Sequence, residues 1–370
     1  MTARVTALNV NRVMSAAGRV RSFLESDVER VADLHRRVFN SGGSPSAYRE
    51  FFEEVFLREA LRRDGISALV YEENDGTIIG FQGVQARHMI FEGKPLIMAV
   101  LSHYAVDPAR RGVAGVRMLR HCLDGPQDLS LVDESGDGAR KVWEWCGGKT
   151  ALLYSMHWAR PLRFSEALLT LIVRKRLPHF ARVARPFARL IDSIFTRVSP
   201  LRVRTAAGSR HGLDESVMLA KIPEFAGDRS LWPDYSGSLT WLLERARTRS
   251  AGGPLRKIAV HDDKNEIAGW FLYYANRAGV AQVLQIAARK DMIGIVLDHL
   301  IEDASQCGAV ALTGRLDPLF AQELSERYFV FYRRGHWTLV HSRRPELLQA
   351  IDRGDAFLSG LEGEFCLHFT

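Results

Sequence analysis

Apolar residues recur at Val28, Val31, Ala32, Leu34, Val38 and Phe39, the three-and-four spacing that lines one face of a helix. Ser26 followed by Glu29 has the spacing of a reciprocal helix cap, so a short strand at Val20–Leu24 is predicted to run straight into that helix. Gly42 to Pro45 break the chain, and Tyr48–Leu61 predicts a second helix anchored by Tyr48, Phe51, Phe52 and Phe56. Three strands are predicted next, at Ser67–Tyr71, Thr77–His88 and Pro95–Val106, with turns at Asn74–Gly76 and Glu92–Gly93. This meander ends where a glycine-bearing helix begins.

The order returns in the second half. Ile258–Val260, a turn at Asp262–Asn265 and Ile267–Trp270 repeat the earlier strand, turn and Ile-x-Gly-aromatic pattern of Leu69–Tyr71, Asn74–Gly76 and Ile78–Phe81. A strand at Ala281–Ala287, a helix at Asp291–Ser305, a strand at Ala309–Thr313 and a helix at Leu319–Arg327 follow. The predicted fold class is α/β, an α+β arrangement with mixed sheets, in two similar modules at 19–165 and 212–370. A tail covers 1–18 and a connector 166–211.

With 370 residues, 46% hydrophobic and 25% charged, the chain excludes disordered and fibrous classes and accommodates two domains. The four cysteines form no CxxC pair, and no histidine cluster has metal-ligand spacing, so reduced thiols and no metal are expected. Residues 1–21 lack the apolar run of a secretory signal, and no stretch approaches a bilayer span, which predicts a cytoplasmic location.

The formal charge of +7 is concentrated. Arg160 to Arg210 holds twelve basic residues against Glu166 and Asp192, a surplus of ten that leaves the rest of the chain three negative. The high pI therefore belongs to one segment, and nucleic acid is not the expected partner. Phe180, Val183, Phe187, Leu190, Ile191, Ile194, Phe195 and Val198 line one helical face there, with Arg182, Arg185, Arg189 and Arg197 mainly elsewhere and Pro186 dividing two helices. Two readings fit this pattern. The apolar stripe packs on neighbouring domains as a connector, or 174–204 lies on an anionic membrane surface as a peripheral contact.

The strongest local motif is Ala105-Val106-Asp107-Pro108-Ala109-Arg110-Arg111-Gly112-Val113-Ala114-Gly115-Val116. It leaves a strand, turns at Pro108 and enters a helix. Small residues admit close backbone approach, helix-start N–H groups attract an anion, and arginines stand alongside, which together make a phosphate cradle. An ordinary glycine-containing turn is the alternative.

These residues resemble the GCN5-related N-acetyltransferases, whose fourth strand is followed by Val-x-Pro and an Arg-Gly-x-Gly segment. Val20 to Phe39, the Gly76 turn with Ile79-Gly80-Phe81, Leu129–Asp133 and Ala139–Gly148 extend the similarity over about 19–160. The pattern departs at Ala114 and Val116, and the second half reads Ala287 to Gly294 without a cradle. The resemblance implies an acyl-coenzyme A dependent N-acyltransferase in which an amine attacks the thioester directly. It implies donor contacts from Val106, Arg110, Arg111, Gly112, Val113, Ala114 and Gly115. His103, Asp133 and Glu134 are candidate bases or acceptor ligands, and Tyr154 a candidate acid for the departing thiolate. Each is equally a packing or solvated residue by type alone. Arg315, His341 and Glu364 are further candidates for reading an acceptor.

An amphiphilic acceptor, such as an amino lipid of the sphingoid type or a lipid-linked amino sugar, suits the basic segment. An acidic acyl carrier protein suits it too, as an alternative donor. The competing class is a non-catalytic binding or scaffold protein that retains the fold.

Overall fold

The computed structural model of the chain describes residues 18–39, 43–58, 65–110, 112–163, 206–249 and 252–368. Most of the predicted tail, the connector from 164 to 205 with its membrane-surface segment, and Arg111 lie outside the described residues.

The first half opens with β1 (Gly18–Ser22), α1 (Val28–Phe39), α2 (Pro45–Phe52), β2 (Leu69–Glu73), β3 (Ile78–Phe91) and β4 (Lys94–Val106). It continues with α3 (Val113–Leu123), β5 (Leu129–Ser135), α4 (Asp137–Trp145), β6 (Lys149–Thr150) and β7 (Met156–Pro161). The start of α1 differs from the sequence reading. A 3-10 turn at Glu25–Asp27 precedes it, and buried Asp27, rather than the pair Ser26 and Glu29, accepts from the Leu24 N–H at 3.0 Å while pairing with Arg21 and Arg30. The predicted second helix starts earlier, at Pro45 behind a Ser44 cap, and loosens into a wide turn at Glu53–Leu57.

The second half comprises β8 (Ser209–Gly212), α5 (Glu215–Ala226), β9 (Leu231–Pro233), α6 (Leu239–Thr248), β10 (Leu255–His261), β11 (Ile267–Tyr274) and β12 (Val280–Ala288). After these come α7 (Ile293–Gln306), β13 (Ala311–Arg315), α8 (Ala321–Glu326), β14 (Val330–Arg333), β15 (Trp337–His341) and α9 (Pro345–Asp352).

Two mixed sheets result. The first runs β1-β2-β3-β4-β5-β15-β6, with β9 added beside β3, and the second runs β14-β7-β13-β12-β11-β10-β8. Each holds an antiparallel meander followed by one parallel pair, β4 with β5 and β12 with β13. In each, the strand flanking that pair comes from the other half of the chain: β15 joins β5, and β7 joins β13.

The parallel pairs are short. β12 and β13 are joined only at Val280–Gln282 and Ala311–Thr313, and the segment after α9 fills the gap beyond. There Gly360 N–H donates to the Leu284 carbonyl at 3.0 Å, Ser359 Oγ accepts from Gln285, and Glu362 is buried against Tyr235 and Gln285. Burial lifts the Glu362 carboxyl to about 8. Its folded value lies above the ordinary 4.5, so its contribution to stability is full below pH 4.5 and is lost as pH rises through about 8. Glu362→Gln is therefore expected to flatten the fall in melting temperature between pH 5 and 9. An unchanged pH dependence in that variant would exclude Glu362 as its source.

Candidate active site

β4 and β5 are hydrogen-bonded only where Met98–Val100 faces Leu129–Leu131, and beyond these residues the strands part. On its other edge β4 carries one extra residue: Gly83 of β3 faces Ser102, whereas Phe81 faces Ala105. Such a bulge re-aims the side chains of the strand that carries it. Here it puts His103 in the left-handed region at φ 51°, which is uncommon for a non-glycine residue. Gly83 permits the packing, since a Cβ there would overlap the Phe56 ring and Ser102 Oγ.

The parting opens a cavity of about 540 Å³. His103 lines it, with its ring centroid 5.2 Å from that of His35, 5.1 Å from Phe51 and 6.1 Å from His368, and its Nδ1 3.1 Å from Ser102 Oγ. Burial, reinforced by nearby His35 and His368, holds its pKa well below the usual histidine value. His35 falls to about 4 for the same first reason. Both imidazoles are therefore neutral at pH 7, the state in which a ring nitrogen accepts a proton.

The opposite wall is assembled from distant sequence. Glu364 Oε2 accepts from the N–H groups of Asp133 and Glu134, at 2.9 and 2.8 Å, where β5 has lost β4 as a partner. Glu364 is 7% exposed and lines the cavity, while among the described residues its other oxygen, Oε1, has no hydrogen-bond partner. Desolvation, and then the neighbouring Asp133 carboxylate, push its pKa well above the ordinary carboxyl range. Glu134 and His368 face one another at 3.8 Å, and Arg249 completes this wall.

Of the residues chosen from sequence, His103 and Glu134 meet in the cavity. Asp133 does not: its side chain is fully buried, pairing with Arg315 at 2.6 Å and accepting from Glu364 N–H at 2.8 Å. It fastens the C-terminal segment to β5. Tyr154 lies outside the cavity in a 3-10 turn, not a strand, where its hydroxyl donates to the Ala356 carbonyl at 2.7 Å and accepts from the Ala356 N–H at 3.0 Å. Burial raises its pKa, and both hydrogen-bonding directions are occupied by that backbone. Arg315 acts through Asp133, and His341 pairs with Ser130 along β15. His35, Arg249 and His368 were not singled out in the sequence. A histidine within the apolar stripe of α1 was the signal for the first; the other two carry none.

The motif after β4 divides by direction. Val106 and Ala114 are buried in a small apolar cluster with Tyr71 and Met118, and Gly115 faces the Tyr104 hydroxyl so closely that a Cβ would overlap it. Gly112 precedes α3, which begins at Val113, and among the described residues no side chain caps that helix start. Its N–H groups and dipole thus remain available to an anion. Arg110 is ion-paired with Glu73.

No family model and no curated protein matches the sequence. Solved structures do resemble the fold. A probable N-acyltransferase of Enterococcus faecalis aligns with a TM-score of 0.58 at 12% identity, covering 88% of this chain and 72% of that one. A GCN5-related N-acetyltransferase of Anabaena variabilis aligns at 0.56 and 12%, covering 89% and 73%, and one of Kribbella flavida at 0.52 and 14%, covering 89% and 72%. A parallel pair that parts beside a glycine-led helix start is thus found within a fold shared over most of the chain: it is the fold of the GCN5-related N-acetyltransferases.

Proposed function

We propose that the protein is an N-acyltransferase that moves an acyl group from an acyl-coenzyme A thioester to an amine by direct attack. The observation that carries this reading is the parting of β4 and β5 beside the uncapped start of α3. A thioester seated in the gap has His103 on one side and the Glu134, Glu364 and His368 group on another, while its phosphates reach the helix start. His103 accepts a proton as the amine nitrogen bonds to the acyl carbon. The carbon–sulfur bond breaks, and the thiolate leaves to be protonated by His103 or water. The Glu134 and Glu364 carboxyl groups accept hydrogen bonds from the incoming ammonium, which gives its extra proton to water before the free amine attacks.

The acceptor we favour is an amphiphilic amine, an amino lipid such as a sphingoid base or a lipid-linked amino sugar. Its support is the sequence of 174–204, with arginines beside an apolar stripe suited to an anionic surface. Coenzyme A or an acyl carrier protein delivers the donor. Among the described residues no helix is long and apolar enough to cross a membrane.

Thiol release from acyl-coenzyme A, measured with sphinganine in vesicles containing phosphatidylglycerol, tests the proposal. Amine-dependent release is expected, rising with anionic lipid content. No release with any donor tried, together with no thermal shift on adding coenzyme A, would overturn the catalytic reading in favour of a non-catalytic protein.

A further inference from the structure

The cavity has two parts of opposite character. Around His103, on the α1 and α2 side of the first sheet, it is lined by ionisable groups. Through the parting of the strands it reaches the layer beneath α3 and α4, where its wall is Leu101, Leu119, Val132, Val142, Trp143 and Leu339. Leu101, Leu119, Trp143 and Leu339 are each 5% exposed or less and belong to one apolar cluster. The indole N–H of Trp143 is already donated to the Val340 carbonyl at 3.0 Å, which leaves its ring face to any ligand.

An acetyl group would fill little of this space. The ionisable and apolar parts together measure about 540 Å³, whereas an apolar cavity of about 150 Å³ already takes a ligand the size of benzene. The apolar arm also lies on the same face of the sheet as α3, so a donor whose phosphates sit at the start of that helix can extend its acyl end into the arm from that face. The attacking amine then comes from the histidine side. We infer that the donor carries a medium or long hydrocarbon acyl chain, seated among Leu101, Leu119, Val132, Val142, Trp143 and Leu339. This rests on the acyltransferase reading and specifies its donor.

The test uses the full chain, a short water-soluble amine, and acetyl-, butyryl-, octanoyl-, lauroyl- and palmitoyl-coenzyme A. Because each buried methylene contributes ~0.8 kcal/mol, kcat/KM is expected to rise about fourfold per methylene until the arm is filled. Val132→Phe on β5 and Ala139→Phe on α4 narrow the cavity from two walls. At least one should fold, by its melting curve, and should cut the octanoyl-to-butyryl preference tenfold or more. A preference that is flat or falls from acetyl upward, with turnover retained, overturns the inference. If no donor turns over with this amine, the parent reading is judged by the vesicle assay and the coenzyme A thermal shift, and calorimetry still decides the arm: octanoyl-coenzyme A binding no tighter than coenzyme A overturns it, and tenfold or tighter binding supports it.

Discussion

His103→Ala is expected to lower kcat by about 10²–10⁴-fold, the range of a positioned proton-transfer group. The neutral ring stands at the parting of β4 and β5, and its protonation below the usual histidine range should give kcat/KM an acid limb that lies under pH 6.5. Activity is full above that limb and falls as pH drops through it, because the protonated ring has no lone pair left to accept with. Alanine tolerates φ 51° less well than histidine does, so the variant also loses some stability. His103→Asn separates the two effects, since asparagine tolerates the left-handed region. We expect this variant to melt near wild type and to remain impaired. Wild-type turnover in a folded His103→Asn protein would remove the residue from the mechanism.

Glu364→Leu should have the second-largest effect, acting on stability and activity together. Its carboxylate satisfies the N–H groups of Asp133 and Glu134, and losing it leaves each unbonded at about 1–3 kcal/mol. Of the hydrogen bonds between Glu364 and β5, only the one its own N–H donates to Asp133 then remains, and His368 loses its place opposite Glu134. Glu364→Gln keeps an acceptor oxygen for those N–H groups while removing the acid. Its melting temperature should stay close to wild type while KM for the amine rises tenfold or more. Unchanged kinetics in the glutamine variant would reduce Glu364 to a strut.

Much of the first sheet is legible in the sequence because its determinants are local. The strands predicted at Thr77–His88 and Pro95–Val106, the Asn74–Gly76 turn and the turn at Pro108 are each set within a few residues, and the structure has β3, β4 and a 3-10 turn there. His103 and Glu134 could be chosen for the same reason, since each lies beside the strand end that positions it. Tyr154 and Asp133 show the limit of that approach. A tyrosine among leucines gives no sign that Ala356, 202 positions away, takes up its hydroxyl. Nor does an acid at a strand end reveal an arginine at 315. The bulge at His103 is set by Gly83 and Phe56 across the sheet, and Glu364 and His368 reach the cavity only through the fold of the C-terminal segment. Contacts of such sequence separation leave no periodicity to read.

The exchange of β15 and β7 between the sheets has a consequence for synthesis. β5 exposes an unpaired edge until β15 has been translated, some 200 residues later, as the Asp137–Trp337 contact measures. At about 5–20 residues per second this leaves the edge bare for about 10–40 s on the ribosome. During that time a nascent first half carries both a strand edge open to other chains and an incomplete cavity. Neither half expressed alone can complete its own sheet, so a truncation at residue 163 should accumulate as aggregate or chaperone-bound polypeptide, and co-expression of the two pieces should restore soluble material.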